Sequence, residues 1–437
     1  MSRKPLENIQ LFLNRRLKLR EKIKGAALVL FSHPEQLRNN DVHHPYRADS
    51  NFYYLTGFEE PESVFIFRPN QKPESILFVR KKDKVRETWD GFRYGPEEAQ
   101  KVFAVDAAYL VDDVVKEAAV LLKDMDTIYH SLFKNPEADK LLSDILATAK
   151  AQTGRSGRST PSILSSDAIL AELRIIKTDA DIANLRTACD ITSKAHDEAM
   201  KYTRPGLNEK EIQGWMQYQF LKNGAAREGY NFIVAGGNNA TTLHYNFNDQ
   251  VCKNGDLLLI DAGAEYNYFT SDITRTFPIS GKFSVEQAKI YQGVLDVQKK
   301  IIALIKPGVP YSSLQEQTID SLVDFLLELG FFTGRKADVI SSLEYKKYYP
   351  HGISHWLGMD VHDTGLYIKN GSSILLEEGM CLTVEPGLYF PIDDTSIPEK
   401  YRGIGVRIED DILVTKTGCE VLTTAAKEIS AIEKLMS

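Results

Sequence analysis

Leu257-Leu258-Leu259-Ile260-Asp261-Ala262-Gly263-Ala264-Glu265, then Tyr266-Asn267, then Tyr268-Phe269-Thr270-Ser271-Asp272-Ile273-Thr274-Arg275-Thr276-Phe277 is the stretch on which the fold turns. Two apolar runs around a short polar break predict an antiparallel hairpin. With Tyr266-Asn267 as a two-residue turn, Asp261 faces Asp272. Their Cβ atoms then lie roughly 4.5–5.5 Å apart on one face, where like charges destabilise the pair. Aspartate is also a poor strand former. Two of them inside apolar strands call for positive charge between them.

The pattern around this hairpin occurs twice. A helix ends at Arg204-Pro205-Gly206 and a second stops near Gly224; further on, one helix ends at Lys306-Pro307-Gly308 and another runs to Gly330. Strand pairs follow each helix pair, within 256–277 and within 380–414. A duplicated α-α-β-β unit implies two similar halves around a pseudo-twofold axis, with helices covering a largely antiparallel sheet. The second copy places Glu385 in Thr383-Val384-Glu385-Pro386-Gly387 and Glu409 in Arg407-Ile408-Glu409-Asp410. The long connection between them leaves their register open.

Three of the nine histidines, His351, His355 and His362, fall within residues 351–363. Four carboxylates and an imidazole form an oxygen-rich set of charge −4, which two divalent cations would neutralise. Such ligands suit Mn²⁺, Co²⁺ or Zn²⁺. Ions bridged this way sit about 3.5–4 Å apart, generate a hydroxide at neutral pH and polarise a carbonyl. His351 and His355 lack the Glu of H-E-x-x-H and form no zincin pair. Taken singly, each residue reads as a turn, salt-bridge or packing residue; the joint pattern points to chemistry.

Outward from this region, residues 1–176 read as a separate α/β domain. Ala26–Phe31, Ser63–Phe67 and Ser75–Val79 are predicted buried strands, and Leu110–Leu122 a helix. The stretch 153–161, with Arg155 and Arg158, reads as a loop or linker. Thr178 with Asp181 resembles a capping box ahead of Ile182, Leu185 and Cys189 at helical spacing, opening a second domain, 177–437.

Hydrophobic residues make up 43% of the 437, enough apolar surface to exclude a disordered chain. A net charge of −7 provides no basic field for nucleic acid or an anionic membrane. The cysteines Cys189, Cys252, Cys381 and Cys419 form no C-x-x-C pair, which excludes a disulfide scaffold and a thiolate zinc site. No apolar run is long enough for a bilayer, and residues 1–7 lead into a charged stretch, unlike a signal peptide. A cytoplasmic protein is expected.

Residues 178–437 resemble the pita-bread metallopeptidases, the family of methionine aminopeptidase, prolidase and aminopeptidase P. The resemblance rests on 260–263, 271–276, His351 through Asp363, Thr383-Val384-Glu385-Pro386-Gly387 and Arg407-Ile408-Glu409-Asp410, and is nearest to aminopeptidase P. Pro45 through Gly57 is similar to the N-domain of aminopeptidase P and prolidase. The resemblance implies a dinuclear enzyme acting on peptides with proline in the second position. Asp261, Asp272, His355, Glu385 and Glu409 would hold two divalent ions, manganese by preference.

It further implies that Glu385 passes the water's proton to the leaving proline nitrogen. His362 and His244 would stabilise the oxyanion and bind substrate, and His351 would line the proline pocket. Arg407 would orient Asp261 through Tyr389. Trp89, in Glu87-Thr88-Trp89-Asp90-Gly91, would reach a neighbouring active site in a homodimer or homotetramer. An Xaa-Pro dipeptidase shares the fold, metals and chemistry. A non-catalytic binding protein of this fold would have lost ligands that all remain here.

Overall fold

The computed structural model describes residues 8–154 and 159–437. Residues 1–7, and Arg155 and Arg158 of the expected linker, lie outside the described residues. One compact unit ends at Leu173 and a second runs Arg174–Ser437.

The first unit folds around a six-stranded mixed sheet, in spatial order Ala107–Leu110, Ser75–Val79, Val64–Phe67, Ala27–Phe31, Thr127–Tyr129 and Ser162–Leu164. The three expected strands form, each beginning within a residue of its predicted start. Val29, Ile66 and Phe78 pack against Leu122 and Leu142 of the helices Val114–Leu122 and Pro136–Thr153. The helix expected from Leu110 starts later. Leu110 ends a strand and Val111–Asp113 forms a 3-10 turn, because Asp112 and Asp113 favour helix ends over interiors.

The second unit carries the duplication. The Thr178–Asp181 capping box opens the helix Asp179–Tyr202, and Glu209–Lys222 follows. Their counterparts are Val285–Leu304 and Tyr311–Glu328. In both copies the first helix gives way to Pro-Gly, with Gly206 at φ 93° and Gly308 at φ 86°, a region glycine enters at little cost. Each pair leads to a three-stranded antiparallel sheet. The first orders Ile233–Gly236, Leu257–Ala262 and Ile273–Pro278; the second orders Cys381–Val384, Asp410–Val414 and Cys419–Val421. One core joins Leu258, Ile260 and Phe277 to Val294, Leu382, Ile408 and Ile412. Among the described residues, no helix is long and apolar enough to cross a membrane.

The decisive hairpin differs from expectation in register. Its turn is Asn267-Tyr268, both at positive φ (48° and 69°), as this turn requires. Asp261 therefore pairs with Thr274, not Asp272. The pairing has moved by two residues, and side chains alternate with period two, so both aspartates still share a face.

The halves meet where Ile273–Pro278 runs beside 407–409. Glu409 N–H donates to the Thr274 carbonyl at 3.0 Å. Arg275 is fully buried there, donating to the carbonyls of Thr274 (2.9 Å) and Glu409 (2.6 Å) and pairing with Asp410 at 2.6 Å.

Candidate active site

The four carboxylates stand where strands break. Asp261 lies one residue from the end of Leu257–Ala262, and Asp272 immediately precedes Ile273–Pro278. Glu385 follows Cys381–Val384, and Glu409 precedes Asp410–Val414. A Cβ at Gly263 would stand 1.8 Å from the Ser271 carbonyl oxygen, so only glycine permits the first break. Pro386, lacking an N–H, follows Glu385 at another. Helix side chains serve the freed carbonyls. Gln298 Nε2 donates to Val384 (3.3 Å) and Ile408 (3.2 Å), while His196 Nε2 lies 3.3 Å from the Ala262 oxygen.

His355 is delivered by a segment running beside Cys381–Val384. Thr383 N–H donates to the His355 carbonyl (3.0 Å), and Glu385 N–H to that of Ile353 (2.9 Å). Its Nε2 then lies 3.3 Å from Asp272 Oδ2 and 3.6 Å from Glu385 Oε1.

Arg407 binds the set through three nitrogens. Nη2 donates to Asp261 Oδ2 at 2.6 Å, Nη1 to the Tyr389 hydroxyl at 3.1 Å and Nε to Thr274 Oγ1 at 3.1 Å. The Thr274 hydroxyl in turn donates a hydrogen bond to Glu409 Oε2 at 2.6 Å. Arg407 thus reaches Asp261 directly, correcting the route through Tyr389, because the guanidinium fork spans both partners. Tyr389 instead serves His351. Its hydroxyl accepts from Arg407 and so donates to His351 Nε2 (2.8 Å), leaving the His351 proton on Nδ1, 2.7 Å from the Gly352 carbonyl. Burial and the Arg407 charge accordingly lower His351 to about 4.

The carboxylates are costly to gather. Burial raises Asp272 against the pull of His355, with the Asp261 charge adding to it, and burial with the charges of Asp272, Glu385 and Asp261 raises Glu409 well above the usual range. Burial likewise pushes Glu385 up to about 7 against the pull of His355 and Arg407. At His355, burial favours the neutral ring, yet the hydrogen bond and charge of Asp272 prevail and hold it at about 9. The site draws in positive charge, and its donors suit a hard or borderline cation. Asp272, His355 and Glu409 each offer one ligand atom, all within 4.8 Å of one another. Asp261 and Glu385 line the same cavity.

That cavity measures about 500 Å³. His244 and His362 are exposed residues in its lining, and the His362 ring stands edge-on to His355 with centroids 4.5 Å apart. His351 and Arg407 also line it. Trp89 belongs to the other unit, on the helix Lys84–Asp90, and is 81% exposed.

Sequence reasoning missed Tyr230. Its hydroxyl touches Asp261 Oδ1 at 2.7 Å and Asp272 Oδ1, and burial with their charges keeps it protonated. No motif marks it; the one signal is neighbouring Gly229, where a Cβ would meet Thr270 Oγ1 at 1.9 Å.

Residues 183–416 match the model of metallopeptidase family M24, and residues 12–129 match that of the aminopeptidase P N-terminal domain. The chain belongs to metallopeptidase family M24. Among family relatives, the Xaa-Pro aminopeptidase of Haemophilus influenzae is 41% identical over 94% of this chain and 94% of that protein. That of Escherichia coli is 38% identical over 98% and 97%. The structure of Pseudomonas aeruginosa aminopeptidase PepP superposes with a TM-score of 0.95 at 40% identity, covering 100% of this chain and 99% of that one.

Proposed function

We propose that this chain is an Xaa-Pro aminopeptidase, releasing the first residue of peptides whose second residue is proline. The observation that carries this is the convergence of four carboxylates and His355 in the lining of one cavity, in a chain similar to such enzymes over nearly its whole length. Asp261, Asp272, His355, Glu385 and Glu409 would hold two divalent ions, manganese before cobalt or zinc. When bound, these would supply a water activated for attack at neutral pH and a polarised scissile carbonyl.

The chain's own groups do the rest. A Glu385 oxygen accepts the water's proton and returns it to the leaving proline nitrogen, the ordinary shuttle role of a carboxylate placed beside the reacting bond. Tyr230 and Arg407 hold Asp261 and Asp272 in place. His244 and His362 bind the peptide and its developing oxyanion. Neutral His351, packed on Tyr349 with centroids 4.9 Å apart, lines the slot for the proline ring. Proline has no amide N–H and a fixed φ, so an apolar slot recognises it where backbone pairing fails.

In this reading, residues 177–437 form the catalytic domain and 1–176 the N-domain. Exposed Trp89 supports assembly as a homodimer or homotetramer in which it reaches a neighbouring site. The four free cysteines suit the cytoplasm.

The test is cleavage of an Xaa-Pro-Yaa tripeptide and an Xaa-Pro dipeptide, before and after chelation. We expect hydrolysis of the tripeptide at the Xaa-Pro bond, lost with the metal and restored by manganese. Cleavage confined to the dipeptide would establish a dipeptidase instead, and undiminished activity without metal would defeat the metal assignment.

A further inference from the structure

An ion cluster that the chemistry above leaves unused closes the loop carrying His362. Asp363 N–H donates to the Trp356 carbonyl at 2.9 Å, so residues 356–363 return on themselves. The Asp363 side chain is 1% exposed and meets two equally hidden cations: Arg174 Nη2 on Oδ1, and Lys177 Nζ on Oδ2 at 3.1 Å. Arg174 extends to Asp360 Oδ2 at 2.8 Å. The loop's shape is fitted to this cluster. A Cβ on Gly358 would stand 2.1 Å from Asp363 Oδ2 and 3.2 Å from Lys177 Cε. On its other flank, fully buried Trp356 packs on Tyr311 and Tyr367, with centroids 4.8 and 5.5 Å away.

Buried ion pairs contribute little net stability, because desolvation offsets most of their attraction. They do fix direction. Lys177 is anchored by its N–H on the Gly379 carbonyl at 2.8 Å, just ahead of the helix Asp179–Tyr202. A carboxylate gripped by both cations leaves its own backbone little freedom, and the next residue back is His362.

We propose that Asp363 is a positioning residue: held by Arg174 and Lys177, it fixes the loop 356–363 so that His362 stays turned into the cavity toward bound peptide. This deepens the aminopeptidase reading and rests on it.

The experiment compares wild type, Asp363→Asn, Lys177→Met, His362→Ala and the double variants with His362→Ala, all loaded with manganese. Asp363→Asn should lower kcat/KM about 10–100-fold, the range for residues that orient an active group, through a lower kcat and a raised KM together, with unchanged metal content. In the His362→Ala background the same change should cost nothing more, since both act through one group. Lys177→Met keeps the Arg174–Asp363 pair, folds more readily, and should show a smaller loss with the same split. In zinc-loaded samples, where no paramagnetic ion broadens the signals, the His362 ring should give one sharp set of NMR signals in wild type and shifted, exchange-averaged signals in both variants. Lower Tm with full kcat, losses that multiply with those of His362→Ala, or an unchanged His362 signal would overturn the proposal. Wild type that cleaves no Xaa-Pro peptide would defeat the aminopeptidase reading, while the His362 signal still decides the positioning role.

Discussion

A guanidinium at position 407 makes three aimed hydrogen bonds, to Thr274, Tyr389 and Asp261, which a lysine's single ammonium does not reproduce. The residue type and its link to Tyr389 were expected from the resemblance; the direct bonds to Asp261 and Thr274 were not, because those residues lie on the other half of the duplication. Glu385 shows what such crowding does to titration. Burial raises it from its ordinary 4.5 to about 7, so across that window the folded chain keeps a proton the unfolded chain has lost. Its contribution to stability therefore declines as pH rises through the window and stays lost above it. His355, raised from 6.5 to about 9, contributes stability that is full below the lower value and gone above the upper. Both trends run the same way. Measured without metal, Glu385→Gln should gain stability relative to wild type as pH climbs from 4.5 to about 7, then hold that gain. A pH-independent difference in Tm would show that Glu385 is not held protonated by its surroundings.

At the scale of elements, the site is a set of interrupted strands, and Gly263 fixes where the first of them breaks. The expected hairpin had the right strands and the wrong turn. Asn267 accepts positive φ in either turn position, whereas Tyr268 at φ 69° runs against its local preference and is held there by burial. The error spared the site because the shift was two residues. The segment that delivers His355 was hidden for another reason: its partner strand lies about thirty residues away, and pairing at that separation leaves no local pattern. Gly263 tests the role of the breaks. Its alanine variant would drive a methyl into the Ser271 carbonyl, 1.8 Å away, and toward Tyr230 Cε1 at 2.9 Å. We expect a loss of about 1–3 kcal/mol or more, with weaker metal binding because Asp261, Asp272 and Tyr230 shift together. Gly214 is the control. It lies inside the helix Glu209–Lys222 with nothing within 4 Å of a new Cβ, so Gly214→Ala should stabilise by about 0.4–1 kcal/mol. Chemical denaturation and manganese titration of both variants decide; equal metal affinity in Gly263→Ala and wild type would refute the role given to the break.

For the whole molecule, the sheet halves each bring two carboxylates to their junction, so divalent metal held in the proposed site would cross-link the duplication. The −4 charge and the repeat were both readable in advance, since each is a property of residue order; how the halves dock was not, since that depends on Arg275 and Glu409 meeting across the junction. A ligand that binds only the folded site adds RT ln(1 + [L]/Kd), about 2.7 kcal/mol at a hundredfold excess over Kd. Spread over a unit the size of Arg174–Ser437, each kcal/mol moves Tm by roughly 2–4 °C. Calorimetry should therefore show the catalytic unit's transition rising by about 5–10 °C on manganese addition. The first unit has its own core and supplies none of the five proposed donors, so a transition belonging to residues up to Leu173 should stay in place. In Asp261→Ala the rise should shrink sharply, because one carboxylate of the first half is gone and Arg407 loses the carboxylate it pairs with. A manganese-induced shift that survives in Asp261→Ala, or that moves both transitions equally, would place the ions somewhere other than this junction.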